Sequence, residues 1–262
     1  MKSDFNTEEY LIDKLEVKIY PDRNILGKSA AKDIHDKMIE IAKTKKDIRM
    51  IFAAAPSQNE VLYELSQMDD IPWELVTAFH MDEYIGLHPA AEQLFGNFLK
   101  EHLFSKVVFK TVNYIKSDPQ NIEDECRRYS GLLNEAPIDI VSLGIGENGH
   151  IAFNDPPFAD FHDKQKVKVV KLDQISRQQQ VNDGCFSSIE FVPEKAITLT
   201  IPALLSADSL FTIVPGKSKA RAVAESLLGK ISESCPASVL RNHSNAKLYL
   251  DIDSALFLQQ KN

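Results

Sequence analysis

The chain has 262 residues, of which 44% are hydrophobic and 26% charged, a composition typical of a globular protein with a substantial core. Its length suits one large domain, predicted over residues 1–262. The net charge of −8 argues against a nucleic-acid or anionic-membrane partner. The three cysteines include no Cys-x-x-Cys pair, which argues against a disulfide framework or a thiolate metal site. The start of the chain is polar, and no apolar run approaches the ~18 residues needed to cross a bilayer. These features predict a cytoplasmic protein.

Strand and helix patterns alternate along the chain. The apolar runs at 48–55 and 138–146 are typical of strands buried on both faces. In chain order, the pattern predicts a strand at 15–20, a helix at 29–46, a strand at 48–55, a helix at 60–68, a strand at 74–82, a helix at 93–104, a short strand and then a helix within 113–133, strands at 138–146, 166–172, 195–201 and 209–214, a helix at 217–228 and a strand at 247–253. This alternation predicts a mostly parallel, Rossmann-like sheet covered by helices, a three-layer α/β/α sandwich.

Ligands of open α/β sheets bind where parallel strands end at their carboxyl edge. The loops after residues 55, 82, 146 and 214 are therefore the predicted functional loops. The loop after residue 146 contains Gly144-x-Gly146-x-x-Gly149, the spacing of a dinucleotide-binding fingerprint, and Asp173 nearly supplies the acid expected further on. That fingerprint needs a helix to begin at its third glycine, and FNDPPFADF at 153–161 cannot form a continuous helix.

A catalytic histidine suits this glycine-rich turn better. A histidine such as His150 can move protons as a general acid or base. Asp155 lies five residues further on and could orient the imidazole. The glycines, Gly149 among them, would let a substrate approach the backbone. The alternative is a hydrogen-bonded turn histidine without a catalytic role.

The other three loops contain complementary groups. Asp82 and Glu83 follow a buried strand, where one could act as a base and the other as an anchor, although both could also be solvated capping acids. His80 and Asp82 have no third ligand in view, so a metal site is not predicted. Lys217 and Lys219 follow a Pro-Gly turn and suit a phosphate clamp, although a solvated charge run would look the same. In the loop after residue 55, a helix cap or a sugar-phosphate contact could use Ser57 and Gln58.

Taken together, these loops resemble the glucosamine-6-phosphate deaminase (isomerase) family, whose superfamily includes the 6-phosphogluconolactonases. The specific segments are MDEYIGL at 81–87, GHIAFNDPP at 149–157, and the strand-helix-strand stretch at 195–222. Weaker similarity runs from about 25 to 255, which covers most of the chain. The lactonases use a different acidic motif and lack the Phe-Asn-Glu-Pro that follows Gly-His-Ile-Ala in the deaminases.

The resemblance implies a role for each matching residue. Asp82 would be the base that moves a proton between C2 and C1 of the sugar. His150 would open the pyranose ring, with Asn148 and Asp155 in the positions of its carboxylate partners. Lys219 would bind the phosphate. Ser57 and Gln58 would form the first phosphate loop, and Glu83, Gly149 and Lys217 complete the predicted substrate-binding set.

Four departures from the family pattern bear on these roles. Asn148 stands where many members have Asp, and an amide orients a histidine without raising its basicity. Asp155 replaces Glu and is one methylene shorter. A phosphate-contacting arginine is missing from Asn182-Asp183-Gly184-Cys185-Phe186, and the first phosphate loop is Ala-Pro-Ser-Gln-Asn rather than glycine-rich. The candidates to replace the arginine are Arg177, Lys217 and Arg221.

The predicted function is an amino-sugar-phosphate deaminase/isomerase that needs no cofactor or metal. It would convert glucosamine 6-phosphate, or its galacto epimer galactosamine 6-phosphate, to a ketose 6-phosphate and ammonia. One alternative is a sugar-lactone hydrolase of the 6-phosphogluconolactonase type. Another is a phosphosugar-binding regulator that has lost catalysis, suggested by Asn148 and the missing arginine. The resemblance is compatible with a monomer or a homo-oligomer.

Overall fold

The predicted strands assemble into two sheets. A computed structural model describes residues 8–117 and 120–258. In that part of the chain the strands are β1 (Glu8–Ile12), β2 (Leu15–Tyr20), β3 (Ile48–Phe52), β4 (Val76–His80), β5 (Asp82–Tyr84), β6 (Thr111–Asn113), β7 (Ile140–Leu143), β8 (Val167–Lys171), β9 (Lys195–Leu199), β10 (Ser209–Val214) and β11 (Ala246–Asp251). The larger sheet has the order β1-β2-β11-β10-β7-β3-β4-β6 and is parallel except for the β1–β2 pair. The smaller sheet, β5-β9-β8, is antiparallel.

Helices cover both faces of the larger sheet. They are α1 (Arg23–Ala42), α2 (Asn59–Ser66), α3 (Phe95–Leu99), α4 (Ile122–Asn134), α5 (Gln174–Asn182), α6 (Ile201–Leu205) and α7 (Ala220–Leu228). A π-helical turn, Lys100–Phe104, extends α3, and short 3-10 turns are formed by Pro56–Gln58, Trp73–Leu75, Ile189–Phe191, Lys217–Lys219 and Pro236–Asn242. None of the described helices is both long and apolar enough to cross a bilayer.

The side chains of the central strands alternate between the two faces of the larger sheet and form two cores. In β3, Met50 and Phe52 pack into the core under α1 and α2. Ile51 points the other way, into the core formed with α4, α6 and α7. Successive strand side chains point to opposite faces, so a continuous apolar run fills both layers. The three-layer α/β/α prediction is confirmed.

The element bounds differ from the predicted ones where local chemistry intervenes. Helix α1 begins at Arg23 rather than 29, because the Asp22 carboxylate accepts hydrogen bonds from the first-turn amides of Asn24 (2.8 Å) and Ile25 (2.9 Å). The predicted strand at 74–82 breaks after His80, because the chain leaves the larger sheet there and enters the smaller one. Two residues of the predicted Ser-Asp-Pro helix start, 118 and 119, lie outside the described residues.

Candidate functional site

The four predicted loops meet at the carboxyl edge of the larger sheet. Together they line a cavity of about 210 Å³. Its walls come from the segments 53–58, 81–82, 144–146 and 215–219, with His150 beside them. The four loops therefore face one another across this cavity. Residues of α5 close another side of the cavity.

His150 lies in a closed network of polar side chains. Its backbone N–H and its Nδ1 both donate to the Asn148 side-chain oxygen, at 3.1 and 2.7 Å. The Asn148 amide nitrogen in turn donates to Asp155 Oδ1 at 3.0 Å. Asp155 Oδ1 is also 3.2 Å from His150 Nδ1, so the shorter carboxylate still reaches the imidazole. Because an amide oxygen can only accept, Nδ1 carries the proton in this network and Nε2 is the basic nitrogen.

Asp155 is fully buried and remains an anion. Burial alone would raise its pKa, but the interactions with His150, Asn148 and Ser176 outweigh that effect and lower the pKa to about 2. Its second oxygen accepts from the Asp173 backbone N–H at 3.3 Å. The network therefore places a fixed negative charge behind the imidazole.

Two glycines shape the turn that holds His150. A Cβ on Gly146 would lie 2.0 Å from the imidazole Cε1, so the ring packs directly on the backbone at this position. Gly149 has φ +82°, a backbone conformation that favours glycine, and a Cβ there would lie 2.8 Å from Cys235 Sγ. The Gly149 carbonyl accepts from the Ala237 backbone N–H at 2.8 Å. Gly149 is not among the cavity-lining residues, and its predicted contact with substrate stays a prediction.

Asp82 begins β5 and lines the cavity although it is only 7% exposed. Burial raises its pKa well above the ordinary aspartate range, and the neighbouring Glu83 charge raises it further. Within the described residues, the structure gives the Asp82 carboxylate no hydrogen-bond donor. A carboxylate in this setting is a stronger base than an exposed one.

Glu83 points away from Asp82, as adjacent residues of a strand do. Its carboxylate accepts from the backbone N–H groups of Tyr84 (3.0 Å), Phe95 (3.0 Å) and Gly96 (2.9 Å). Burial raises the Glu83 pKa to about 7, and the three N–H groups oppose that rise. Glu83 therefore fastens the start of α3 and is not among the cavity-lining residues, and its predicted contact with substrate stays a prediction.

His80 is fully buried beneath Asp82. Its Nδ1 donates to the Asp82 carbonyl and its Nε2 accepts from the Ile115 N–H, each at 2.9 Å. Burial lowers the His80 pKa to about 4. Both ring nitrogens are thus used by the backbone, and His80 supports the turn into β5. Among the described residues, no group of three or more His, Cys, Asp or Glu side chains is arranged to hold a metal ion.

Lys219 lines the cavity from the loop after β10. It is 6% exposed and forms no ion pair within the described residues. Burial lowers its pKa, while the charges of Asp183 and Glu147 act in the opposite direction. The Gly216 N–H donates to both Asp251 carboxylate oxygens at 3.0 Å, which fixes this loop to the end of β11. A buried ammonium without a fixed carboxylate partner is suited to an anionic ligand.

Ser57 and Gln58 line the wall formed by the loop after β3. Gln58 is buried, and its amide nitrogen donates to Ser57 Oγ at 3.1 Å and to the Ile213 carbonyl at 3.3 Å. This interaction joins the loop after β3 to β10. Gln58 therefore holds two of the cavity walls together, and Ser57 presents a hydroxyl beside it.

The three cations considered as replacements for the missing arginine do not line the cavity. Lys217 and Arg221 are exposed, and Arg177 donates to the carbonyls of Ile189 and Val192, each at 2.8 Å. For Lys217, this differs from the predicted substrate contact. Arg23, the first residue of α1, does line the cavity.

Arg23 was not identified from the sequence. Its Nε donates to Glu60 at 2.7 Å, and one terminal nitrogen donates to Glu60 and to the Pro56 carbonyl, both at 2.9 Å. These contacts fix a guanidinium beside the loop that carries Ser57. An arginine followed by helix residues gave no signal of a site in the sequence.

Helix α5 supplies further residues that sequence reasoning missed. Gln179, Gln180 and Asp183 line the cavity. Ser176 is buried and contacts both His150 and Asp155. The segment 174–182 is rich in polar residues and has no clear apolar stripe, so periodicity gave no helix there. The half-buried Asp173 side chain accepts from the Ile175 N–H at 3.0 Å, and this cap was the available signal of a helix start.

This chain is similar to proteins of a known family. Residues 21–250 match the family model for glucosamine-6-phosphate isomerases/6-phosphogluconolactonase. The chain is 33% identical over 240 residues to a glucosamine-6-phosphate deaminase of Listeria innocua, covering 92% of this chain and 99% of that one. It is 35% identical over 216 residues to the enzyme of the same name from Bacillus cytotoxicus, covering 82% of this chain and 80% of that one.

Solved structures of related proteins are also similar to this chain. A monomeric glucosamine-6-phosphate deaminase superposes with a TM-score of 0.84 at 31% identity, covering 92% of this chain and 98% of that one. The 6-phosphogluconolactonase of Thermotoga maritima shares the fold, with a TM-score of 0.74 at 20% identity over 91% of this chain and 100% of that one. The resemblance found in the sequence is confirmed: the chain is an enzyme of the glucosamine-6-phosphate isomerase/6-phosphogluconolactonase family.

Proposed function

We propose that this enzyme is an amino-sugar-phosphate deaminase that acts on glucosamine 6-phosphate. The observation that carries the proposal is that Asp82, His150 and Lys219 line one cavity. The cavity thus combines a buried carboxylate, an imidazole with a basic nitrogen and a buried ammonium. Its curated relatives at 33–35% identity bear the name glucosamine-6-phosphate deaminase, which favours the gluco substrate over its galacto epimer.

Ring opening is the first step in this proposal. The closed sugar has no carbonyl to acidify its C2 proton. His150 Nε2 takes the proton of the anomeric hydroxyl and delivers it to the ring oxygen, which frees the aldehyde. Asn148 and Asp155 hold the Nδ1 proton on the far side of the ring, and the Asp155 charge stabilises the imidazolium that forms between the two transfers.

Asp82 catalyses the second step. Its carboxylate removes the C2 proton of the open chain and returns a proton to C1, through an enolamine. The resulting C2 iminium adds water and loses ammonia, so one glucosamine 6-phosphate and one water give one ketose 6-phosphate and one ammonia. The raised pKa of Asp82 brings its basicity closer to that needed for a carbon acid.

The phosphate would lie between the loops after β3 and β10. Lys219 supplies a charge with three donors, and Ser57 supplies a hydroxyl. Within the described residues, Arg23 is the arginine that lines the cavity. We therefore assign it the phosphate contact of the missing arginine. Its bonds to Glu60 and the Pro56 carbonyl use Nε and one terminal nitrogen, which leaves the other terminal nitrogen to face a phosphate oxygen.

The test is to run the reaction in deuterium oxide and identify the sugar product by nuclear magnetic resonance. The proposal expects a ketose 6-phosphate with solvent-derived deuterium at C1, because a carboxylate base exchanges its proton with solvent between removal and return. A ketose without deuterium at C1 would show that Asp82 does not act as a base that exchanges its proton with solvent. A sugar acid formed from an added lactone, with glucosamine 6-phosphate unchanged, would place the enzyme with the lactone hydrolases.

A further inference from the structure

We propose that Ser176 is a positioning residue for ring opening, bridging Asp155 and His150. This inference deepens the proposed function and rests on it. Ser176 is 1% exposed and lies in the first turn of α5. Its hydroxyl donates to Asp155 Oδ1, and its oxygen is 3.0 Å from His150 Nδ1. A serine outside the turn that carries His150 is thus part of the same network.

The direction of these hydrogen bonds follows from the groups involved. A serine hydroxyl has one proton and two lone pairs, and an ionised carboxylate can only accept. The Ser176 proton therefore points to Asp155, and an oxygen lone pair faces His150 Nδ1. The Nδ1–H then meets three acceptors: Asn148 Oδ1 at 2.7 Å, Ser176 Oγ at 3.0 Å and Asp155 Oδ1 at 3.2 Å. All three favour the proton on Nδ1 and leave Nε2 basic.

Two of the four departures of this chain from the family pattern, Asn148 and Asp155, explain what the bridge does. The Asn148 amide carries no charge, so Asp155 is the anion of the network. The Asp155 side chain is short, and its oxygen lies further from Nδ1 than the Asn148 oxygen does. Ser176 contacts both partners and keeps Asp155 Oδ1 facing the imidazole. It therefore supplies through a hydroxyl the coupling that a longer carboxylate would make directly.

The bridge also joins the network to the cavity wall. Asp155 is held by two groups at the start of α5, the Asp173 N–H through one oxygen and the Ser176 hydroxyl through the other. The same helix presents Gln179 and Gln180 to the cavity. The placement of α5 against Asp155 thus fixes both the wall of the cavity and the orientation of His150.

The kinetic test compares Ser176→Ala with Ser176→Thr, which keeps the hydroxyl. For Ser176→Ala we expect kcat for ammonia release to fall roughly 10–100-fold, the range for loss of an orienting partner, with KM changed less than about twofold. Ser176→Thr should recover most of the rate. Ser238→Ala is the matched control: Ser238 is a fully buried serine whose hydroxyl forms hydrogen bonds only with Ser232 among the described residues, and its loss should leave kcat unchanged.

A second readout does not depend on turnover. Proteins labelled with nitrogen-15 in histidine report which ring nitrogen carries the proton, and a His150→Gln variant identifies the His150 signals. We expect the Nδ1–H form in both proteins, because Asn148 Oδ1 still accepts from Nδ1, and a shifted Nδ1–H signal in Ser176→Ala, because Asp155 is no longer held against the imidazole. If Ser176→Ala fails to fold, Ser176→Cys keeps the shape with a weaker donor and should show the same change in smaller measure.

The outcomes separate the two proposals. Unchanged His150 signals in Ser176→Ala would overturn the positioning role, whatever happens to the rate, and so would a kcat within twofold of the native value. If the native enzyme releases no ammonia but Ser176→Ala shifts the His150 Nδ1–H signal, the proposed function fails and the bridge between Asp155 and His150 stands.

Discussion

Asp82 shows how one residue type acquires a role from its surroundings. It is almost fully buried, lies next to another buried acid and lines the cavity. Replacing it by asparagine keeps the shape and removes the base. For Asp82→Asn we expect turnover to fall at least about 100-fold, the lower end of what general base catalysis contributes, while the phosphosugar still binds. Ammonia release and calorimetric binding of glucosamine 6-phosphate measure the two effects. Near-native turnover would show that another group is the base.

Lys219 and Asp82 should set opposite limbs of the pH profile. Asp82 acts as an anion, and its pKa is raised, so kcat should fall as the pH drops through a value above the ordinary aspartate pKa of about 3.9. Lys219 acts as a cation, and its pKa is lowered, so kcat/KM should fall as the pH rises through a value below the ordinary lysine pKa of about 10.4. The acid limb is measured in kcat rather than in kcat/KM, because the substrate phosphate itself titrates at pH ~6 and affects binding.

Lys219→Arg tests this assignment, since a guanidinium stays protonated to a pH above about 12. We expect the alkaline limb of kcat/KM to move to higher pH in this variant, even if its maximal value is lower. The measurement is a series of initial rates from about pH 5 to about pH 10. An alkaline limb that stays in place would mean that a group other than Lys219 sets it.

Arg23 can be tested against a cation that the structure places outside the cavity. For Arg23→Ala we expect the KM for glucosamine 6-phosphate to rise about fivefold, with kcat little changed. That factor corresponds to roughly 1 kcal/mol, the contribution of one hydrogen bond to a charged ligand at a partly exposed site. Arg221→Ala removes an exposed arginine and should leave KM unchanged. Equal effects of the two changes would argue against a phosphate contact of Arg23.

At the scale of single elements, the turn after β7 combines a positive φ at Gly149 with close packing against Cys235. A side chain on Gly149 would meet φ +82° and Cys235 Sγ at 2.8 Å. For Gly149→Ala we expect the free energy of unfolding to fall by about 1–3 kcal/mol. Gly131→Ala is the control: Gly131 is an exposed residue of α4 with nothing within 4 Å of the added Cβ, so this change should raise the free energy of unfolding by roughly 0.5–1 kcal/mol. Urea unfolding measures both, and a Gly149→Ala protein as stable as the native one would contradict the strain.

The elements also show what the sequence could and could not predict. Strands β2 and β10 were predicted at their observed bounds, since their side chains are mostly apolar and bounded by turn residues. Strand β1, at the sheet edge, is mostly exposed, and the polar helix α5 has no apolar stripe, so neither has the periodicity that reveals buried elements. The missed helix is the one that carries Ser176 and the other missed cavity residues.

Contacts between distant residues account for the rest of the site. His150, Asp155 and Lys219 stand in motifs, and their motifs identified them. Glu83 belongs to the same motif as Asp82, but strand alternation turns it toward α3. Arg23 enters the cavity only because α1 begins beside the loop after β3. Such placements depend on packing between elements, which residue spacing along the chain does not contain.

At the scale of the whole molecule, two sheets meet at the cavity. The larger parallel sheet contributes the loops after β3, β7 and β10, and the smaller sheet contributes Asp82. Loops that are far apart in sequence are held together by cross-contacts, such as Gln58 with β10 and Gly216 with Asp251. This arrangement gives a chain with net charge −8 a buried ammonium at the cavity, where the proposed function places the substrate phosphate.

The central claim is the reaction itself, and the most direct measurement is ammonia release by the purified enzyme. Glucosamine 6-phosphate, galactosamine 6-phosphate and 6-phosphogluconolactone would be offered in parallel, with ammonia measured for the two amino sugars and acid production for the lactone. We predict ammonia from glucosamine 6-phosphate, a lower rate with the galacto epimer, and no hydrolysis of the lactone above the uncatalysed rate. Ammonia from neither amino sugar, with the protein folded, would contradict the proposed function.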